Sequence, residues 1–586
     1  MIAAARNPRR GIWAAIAFLL LAGIGVARVV ATYKIFNQTT DEPAHLATGM
    51  EWLDRGTYSL EPLHPPLARV AIALGPYLSG IRLTGQGNVW AEGNEMLFAR
   101  GRYLHNLALA RLGVLPFFLL ASFLVWCWSR RRYGEAPAFV AALLFTSSPV
   151  ILAHAGVATT DMAITGTFTW ALLAFVNLLD EPGYSRAAIL GLAVGLAVLS
   201  KFSALVFLPA CGLALLLWRW LAETRRAEKK AATSEFRWAR GVAVAALAAF
   251  LVVWGGYRFS VGSITTVADR PHPTLDRTFG AMGAPHNVAY AVSEAHWIPA
   301  PAFFRGIAEV RQKEAQGHKG YLLGQIRLTG WWYFFPVALA VKTTLPFLLL
   351  AGAGAFCLLR SGWRERDWIA AAPVVAALAL LLVSMTSHIN IGIRHILPIY
   401  PLLAIAAGVG TCRLWKIAKS KYVGALLVLP LLAWHLASSA RAHPDYLAYF
   451  NELAGQHPER ILIDSDLDWG QDLLRLSAAL RERGIEEVSI AYAGSADLDM
   501  SRFGLPRFHI LAPYQRADGW IAISLLRLKT GGLGYPNDSY SWLKAYKPVC
   551  LVGRTIRLYY LPGHAEANQA DSGLAGMEPH EISRLN

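Results

Sequence analysis

The chain has 586 residues, 55% hydrophobic and 16% charged. Soluble proteins carry about 25% charged residues, so this balance excludes an ordinary soluble domain and points to a membrane protein. The net charge of +16 would suit a nucleic-acid binder, but much of the excess sits in short loops between apolar segments, where it reads as a topology signal and a contact for anionic lipid heads; no nucleic-acid partner is expected.

The apolar segments are about 20 residues long, enough to cross a bilayer core. Residues 1–10 carry Arg6, Arg9 and Arg10, and residues 11–33 form the first span. That span is too long for the core of a cleaved signal peptide, so it is expected to stay as a helix with its N-terminus in the cytoplasm. The loop 34–103 is then external. It opens with adjacent carboxylates, Asp41 and Glu42, followed by Pro43. Proline suits a first helical turn, and acids suit the N-terminal end of a helix. Some twenty residues later come His64-Pro65-Pro66-Leu67 and Arg69. An amphipathic stretch at 66–83 is expected to lie along the membrane surface.

Further spans are expected at 104–128, 136–154, 161–179, 187–200, 202–218, 241–257, 334–358, 368–387, 396–412 and 423–439, which makes eleven. The pair 187–200 and 202–218 requires a tight external turn at Lys201. Arg130-Arg131-Arg132 and the basic stretches 219–240, 360–366 and 413–421 all fall on the side of the N-terminus, as the positive-inside rule requires. The expected architecture is an α-helical polytopic membrane domain, 1–439, with external loops 34–103 and 258–332. It is followed by a small external α/β domain, 440–586. In that tail, 460–465 and 488–493 read as strands and 471–483 as a helix. Residues 548–561 read as a hairpin turning at Gly553-Arg554. The last twenty or so residues are polar and expected to be disordered. Cys127, Cys211, Cys357, Cys412 and Cys550 show no metal-site or disulfide spacing.

Polar residues collect near the external ends of the spans: Arg111, Asp161, Lys201, Lys342, His388, Asn390, Arg394 and His395. An ionisable group in a membrane costs several kcal/mol unless it faces a cavity or a partner, so these residues imply a polar cavity open to the outer face. Plainer readings exist for several of them. Arg28, Arg111 and Lys342 can snorkel to the interface. Asp161 can cap a helix, and His45 and His154 can be packing residues.

A carboxylate at a membrane surface with cations beside it suits group transfer from a lipid phosphate. The carboxylate takes the proton of an attacking hydroxyl, and Arg or Lys offsets the charge growing on the phosphate. One such displacement inverts a sugar's anomeric centre. No nucleotide-binding glycine loop appears on the cytoplasmic side, which fits a donor delivered by lipid. A divalent cation is compatible with this chemistry, but no ligand set demands one.

The acidic pair soon after the first span, followed by a (His/Lys)-Pro-Pro-Leu element, resembles the GT-C membrane glycosyltransferases of family 39. These are the protein O-mannosyltransferases and the lipid A aminoarabinose transferases. GLAVLSKF at 195–202, GWWYFFPVALAVKTTLP at 330–346 and GIRHILPIYP at 392–401 are similar too, and the resemblance covers about 11–440. It implies a GT-C-like fold in a bacterial inner membrane, with a polyprenyl-phosphate sugar as donor and membrane lipids around it. The acceptor is a hydroxyl of a glycolipid, polymer or protein. Asp41 then takes the role of base, Glu42 orients the loop or acceptor, and Asp161 matches the second acidic position. Arg69 stands where the mannosyltransferases have a basic residue. His64 replaces the lysine of the aminoarabinose transferases. Lys201, Arg258, Lys342 and Arg394 are candidates for the donor phosphate, with His395 beside them. The tail lacks the β-trefoil pattern of eukaryotic mannosyltransferases, and SDLDWGQDL at 465–473 argues for a bacterial relative with a different acceptor. Asp466, Asp468 and Asp472 could bind a cation or sugar, or mark the N-terminus of a helix. The competing functions are a lipid or polysaccharide transporter, for which no internal repeat is visible, and a sensor whose tail binds an envelope ligand.

Overall fold

The computed structural model describes residues 8–223, 237–265, 270–280, 282–418, 420–532 and 534–562. Arg6, most of the basic stretch 219–240 and the polar tail after 562 lie outside them. The chain forms two compact units. One is Met1–Lys34 with Asp41–Asp466, and the other is Ile35–Thr40 with Leu467–Asn586. The boundary expected at 439/440 therefore falls at 466/467. Residues 440–466 stay with the membrane unit because Tyr446, Ala454 and Leu462 are buried in its core. Asn451 Nδ2 also donates to the Ala340 and Thr343 carbonyls, at 2.6 Å each.

A chain in lipid must satisfy its backbone internally, and all eleven expected segments are helical. The first is α1 (Pro8–Val30). The loop 34–103 holds α2 (Glu42–Asp54), α3 (Pro66–Leu78) and α4 (Val89–Phe98). Next come α5 (Tyr103–Leu112), α6 (Leu115–Tyr133), α7 (Glu135–Thr146), α8 (Pro149–Ala155) and α9 (Asp161–Asp180). Then follow α10 (Tyr184–Ser200), α11 (Ala204–Glu223) and α12 (Trp238–Gly256). Lys201 sits in the tight turn between α10 and α11, as expected. The loop 258–332 carries β1 (Val261–Gly262), α13 (Pro273–Phe279), α14 (Ala284–Ser293), β2 (Ile298–Pro299), α15 (Pro301–Gln316), β3 (Gly320–Leu322) and β4 (Gln325–Arg327). The unit closes with α16 (Phe334–Lys342), α17 (Leu345–Arg364), α18 (Trp368–Ser384), α19 (Ile399–Ile417) and α20 (Lys421–Arg441).

The chain is a polytopic helical membrane protein. Among the described residues seven helices are long and apolar enough to cross, or eight if the pair α7 and α8, bent by 61°, is one span. α10 and α18 have 17 residues each, and α19 is buried along most of its length. Two expected spans are broken, at Ser147-Ser148-Pro149 and at Thr343-Thr344-Leu345-Pro346. Each proline lies in the first turn of the second half, where its missing N–H costs nothing. Side chains take up the freed carbonyls, Ser439 Oγ donating to Ser147 O and Asn451 Nδ2 to Thr343 O. His435 of α20 bridges both breaks, 3.0 Å from Ser147 Oγ and 2.7 Å from Thr344 Oγ1. Thr343 Oγ1 lies 2.8 Å from the Tyr400 hydroxyl.

The small unit contains α21 (Leu473–Glu482), β5 (Glu487–Ala491), β6 (Arg507–Ile510), β7 (Gly519–Ser524), α22 (Leu525–Thr530), β8 (Cys550–Val552) and β9 (Ile556–Leu561). Its strands form one sheet in the order β6-β5-β7-β9-β8. β5 runs parallel to β6 and β7, while β9 runs antiparallel to β7 and β8. The expected helix, the strand near 488 and the hairpin are present. The strand expected at 460–465 is not. Pro458–Arg460 and Asp464–Asp466 are 3-10 turns, and Asp464 has φ +55°, which no strand accommodates. Residues 35–40 are tied in by Asn37, which donates to Gly470 O at 2.7 Å and accepts from Leu473 N at 2.7 Å.

Helices α17 and α19 approach through small residues, as membrane helices do. A Cβ on Gly354 would stand 1.8 Å from Ala406 O, whereas one on Gly352 would meet nothing within 4 Å. Gly354→Val is expected to lower the melting temperature in detergent by many degrees or abolish folding, while Gly352→Val leaves it unchanged. Size-exclusion and thermal-melt profiles of the two variants check this.

Candidate functional site

Asp41 occupies the N-cap of α2, but its side chain does not cap the helix. It turns to Arg394, with Nη1 to Oδ2 at 2.7 Å. The same Nη1 lies 3.8 Å from Asp161 Oδ2. Asp161 in turn binds Lys201 Nζ at 2.6 Å through Oδ1 and accepts from Thr159 Oγ1 at 3.2 Å. Four side chains thus alternate in charge: Asp41, Arg394, Asp161, Lys201. Asp161 is 1% exposed and Arg394 9%, against 28% for Asp41. Asp41 is therefore the carboxylate of the chain that an incoming molecule can touch.

Glu42, one residue on, goes elsewhere. Its carboxylate takes both arms of Arg111, Nε at 2.8 Å and Nη2 at 2.9 Å, and the Ala158 amide at 2.7 Å. Both side chains are 1% exposed. Arg111 therefore does not snorkel. The pair ties α2 to α5 and to the segment before α9. Arg28 does not snorkel either, since it donates to Tyr446 Oη at 3.0 Å and to Ser439 O at 2.7 Å.

Arg69 is buried inside its own loop. Its guanidinium binds the Glu61 carboxylate, Tyr58 Oη at 3.2 Å, the Glu61 carbonyl at 2.5 Å and His45 Nδ1 at 3.1 Å. An arginine donating to Nδ1 requires a neutral imidazole, and burial, then the Arg69 charge, holds the pKa of His45 well below its ordinary value. His64 packs edge-on against His45 at 5.0 Å. Burial, then the Lys201 cation, pushes its pKa down to about 3. His395 is likewise held low by burial, then by Lys201 and Arg394. Its Nε2 is buried and has no hydrogen-bond partner among the described residues. Two neutral imidazoles thus face the charged chain.

Lys342 is buried at the end of α16 and clamps backbone, donating to Leu447 O at 2.8 Å and to Asp466 O at 2.5 Å. Arg258 is exposed, lies 4.9 Å over the Trp52 ring and donates to Trp52 O at 2.8 Å. It is not in contact with the charged chain. His388 and Asn390 shape the loop ahead of Arg394. The His388 amide donates to Glu314 Oε1 at 2.6 Å, and Asn390 Oδ1 accepts from Trp331 N at 2.6 Å.

Each of the three acids of SDLDWGQDL is taken up by nearby donors. Asp466, in the membrane unit, accepts from Ile393 N at 3.0 Å. In the small unit, Asp468 accepts from Leu526 N at 2.8 Å. Asp472 Oδ2 there takes Arg554 N and Thr555 Oγ1 at 2.9 Å each. These carboxylates close turns, and Asp472 stands at the N-cap of α21, in line with the plainer of the two readings. Among the described residues no group of three or more His, Cys, Asp or Glu side chains is placed to hold a metal ion.

Three residues near the charged chain were not singled out from the sequence: Lys313, His318 and Asp464. Burial lowers the pKa of Lys313, opposed by the Asp41 charge. Burial lowers that of His318 as well, with Arg394 and Lys313 adding to it. Burial pushes Asp464 up to about 7, opposed by Arg394. Asp464 sits in a segment that reads as a strand, and no motif in the external loop 258–332 sets Lys313 or His318 apart.

Residues 105–255 match the family model described as dolichyl-phosphate-mannose-protein mannosyltransferase. The matched segment contains Asp161 and Lys201 but neither Asp41 nor Arg394. No curated protein matches the chain by sequence. Among solved structures, ArnT from Cupriavidus metallidurans bound to undecaprenyl phosphate is similar at 14% identity and TM-score 0.46, covering 92% of this chain and 97% of its own. The oligosaccharyltransferase AglB from Archaeoglobus fulgidus, in complex with an inhibitory peptide and a dolichol-phosphate, is similar at 11% identity and TM-score 0.45, over 88% of this chain and 70% of its own. The S. cerevisiae protein O-mannosyltransferase Pmt1-Pmt2 complex bound to the sugar donor is similar at 11% identity and TM-score 0.47, over 74% and 90%.

Removing one partner of a buried ion pair leaves a charge without compensation, at about 3–5 kcal/mol. Glu42→Ala is therefore expected to lower thermal stability strongly. Glu42→Met combined with Arg111→Met should recover much of the loss. Melting curves of the single and double variants measure both effects.

Proposed function

We propose that this protein is an inverting glycosyltransferase. It moves a sugar from a polyprenyl phosphate to a hydroxyl acceptor at a cavity on the outer face of a bacterial inner membrane. The observation that carries the reading is the alternating chain Asp41–Arg394–Asp161–Lys201. It supplies an accessible base and two cations within one ion-paired group. The family match over 105–255 supports the same chemistry. The family-39 resemblance of the first loop agrees with it.

In the reaction the acceptor hydroxyl gives its proton to Asp41 as its oxygen bonds to the sugar's anomeric carbon. The bond from that carbon to the phosphate oxygen breaks, and its electron pair leaves with the polyprenyl phosphate. Arg394 and Lys201 offset the charge that grows there. Asp161 holds both cations in place. The neutral His64 and His395 offer hydrogen bonds without adding charge. Glu42 and Arg69 act through position, the first by fixing α2 and the second by fixing the loop that carries His64. Lys342 acts the same way, by anchoring the turn behind Arg394. Arg258 has no part in the transfer.

The test is transfer from radiolabelled polyprenyl-phosphate hexoses and pentoses in membranes carrying wild type or Asp41→Asn. Wild type is expected to consume at least one donor. Asp41→Asn should lose about 10²–10⁴-fold in rate with insertion and expression retained, and Arg394→Gln about 10²–10³-fold with a lowered melting temperature as well. A wild type that is correctly folded and inert toward every donor would sink the reading, and lipid flipping in liposomes would then be measured.

A further inference from the structure

The turn Asp464–Asp466 is bolted to the loop that carries Arg394. Ser465 Oγ donates to Ile391 O at 2.5 Å. Asp466 Oδ1 accepts from Ile393 N at 3.0 Å, and Lys342 Nζ holds Asp466 O at 2.5 Å. Gly392 has φ +155°, and a Cβ there would stand 2.2 Å from Ser465 Oγ. Ser465 and Asp466 are buried by these contacts, but Asp464 is only half-buried. It holds φ +55°, a left-handed conformation that Asp adopts more readily than most residues, here with its own carboxyl accepting from Ser465 N.

The Asp464 carboxyl has few ties. Among the described residues its only hydrogen bond is from the next amide, Ser465 N, to Oδ1 at 2.6 Å, which leaves Oδ2 available. The charges that face it are Arg394, Asp41 and Asp466. Lys342 stands behind Asp466, and Lys313 and His318 face Asp41 from α15 and the segment after it. Asp464 therefore faces the Arg394–Asp41 pair. In an in-line displacement the attacking hydroxyl and the leaving phosphate occupy opposite sides of the anomeric carbon. With the phosphate drawn toward Lys201, the acceptor comes in on the side of Asp41, a charge that Asp464 faces.

We propose that Asp464 is a further substrate-contacting carboxylate of this site, whose ionised form accepts a hydrogen bond from the acceptor and positions it for Asp41. The assignment rests on the transferase reading above. Burial pushes the pKa of Asp464 up to about 7, so the ionised form grows as pH rises through neutrality. The linkage to stability runs the other way. A carboxyl that binds its proton more tightly when folded favours the folded state at low pH, and that contribution is lost as pH rises through about 7.

Asp464→Asn and Asp464→Glu are compared with wild type in the membrane transfer assay from pH 5.5 to 8.5, with purified protein melted over the same range. Wild-type transfer is expected to rise between pH 6 and 8. Asp464→Asn should transfer at least tenfold more slowly at pH 8 and lose that rise, and Asp464→Glu should regain part of it. The Asn variant should melt at or above the wild-type temperature at pH 8. Wild-type rate and pH profile in Asp464→Asn overturn the assignment while leaving the transferase reading intact. A lowered melting temperature at pH 8 also overturns it, as that marks a structural carboxylate. Inert wild type removes the transferase reading and this assignment together.

Discussion

Arg394 lies between two carboxylates, 2.7 Å from Asp41 and 3.8 Å from Asp161, and the organisation of the membrane unit follows from that placement. A guanidinium buried among apolar helices is tolerable only with partners. Those partners come from distant parts of the chain: the N-cap of α2 and the first residue of α9. Lys201, from the α10–α11 turn, completes the group. Each charge is affordable because the next one is present. The group ties a loop, two helix starts and a turn to one another.

The adjacent acids Asp41 and Glu42 show how one helix start serves two ends. Successive residues on a helix point about 100° apart, so the two carboxylates cannot share a partner. Glu42 turns inward to Arg111, and the doubly bonded, buried pair is spent on holding α2. Asp41 turns toward Arg394 and keeps more than a quarter of its side chain exposed. The same division recurs at the turn Asp464–Asp466. Ser465 and Asp466 make the attachments, and Asp464 keeps a carboxyl oxygen available. In both places one residue provides rigidity and its neighbour provides an accessible group.

The helix breaks belong to the same economy of polar groups. Ser147 and Thr343 stand where α7–α8 and α16–α17 are interrupted, and Ser439 Oγ and Asn451 Nδ2 donate to their carbonyls. A break in lipid is stable when side chains re-satisfy the backbone around it. The second break lets α16 end at Lys342, whose three-donor ammonium clamps the carbonyls of Leu447 and Asp466. In the small unit the acids perform a comparable closing role. Asp468 and Asp472 take up amides at α22 and at the β8–β9 hairpin.

The sequence by itself determined where the helices lie, since a 20-residue apolar run in lipid has few alternatives to a helix. It also marked the helix start at Pro43, the turn at Lys201 and the hairpin at Gly553-Arg554, because local backbone preference decides each of these. The polar residues near the span ends stood out because charge is rare in an apolar background, and Asp41, Asp161, Lys201 and Arg394 were visible in that way. What each charge is paired with was decided only by tertiary structure. Arg69, Lys342 and Arg258 looked equivalent to Arg394 as cations, yet the fold turns the first two inward onto their own surroundings and leaves the third on Trp52. Asp464 was hidden in a segment with strand-like composition, because a left-handed residue held by contacts from 391–394 leaves no local signature. Arg394 meets Asp41 across 353 positions, and no short window of sequence contains both partners.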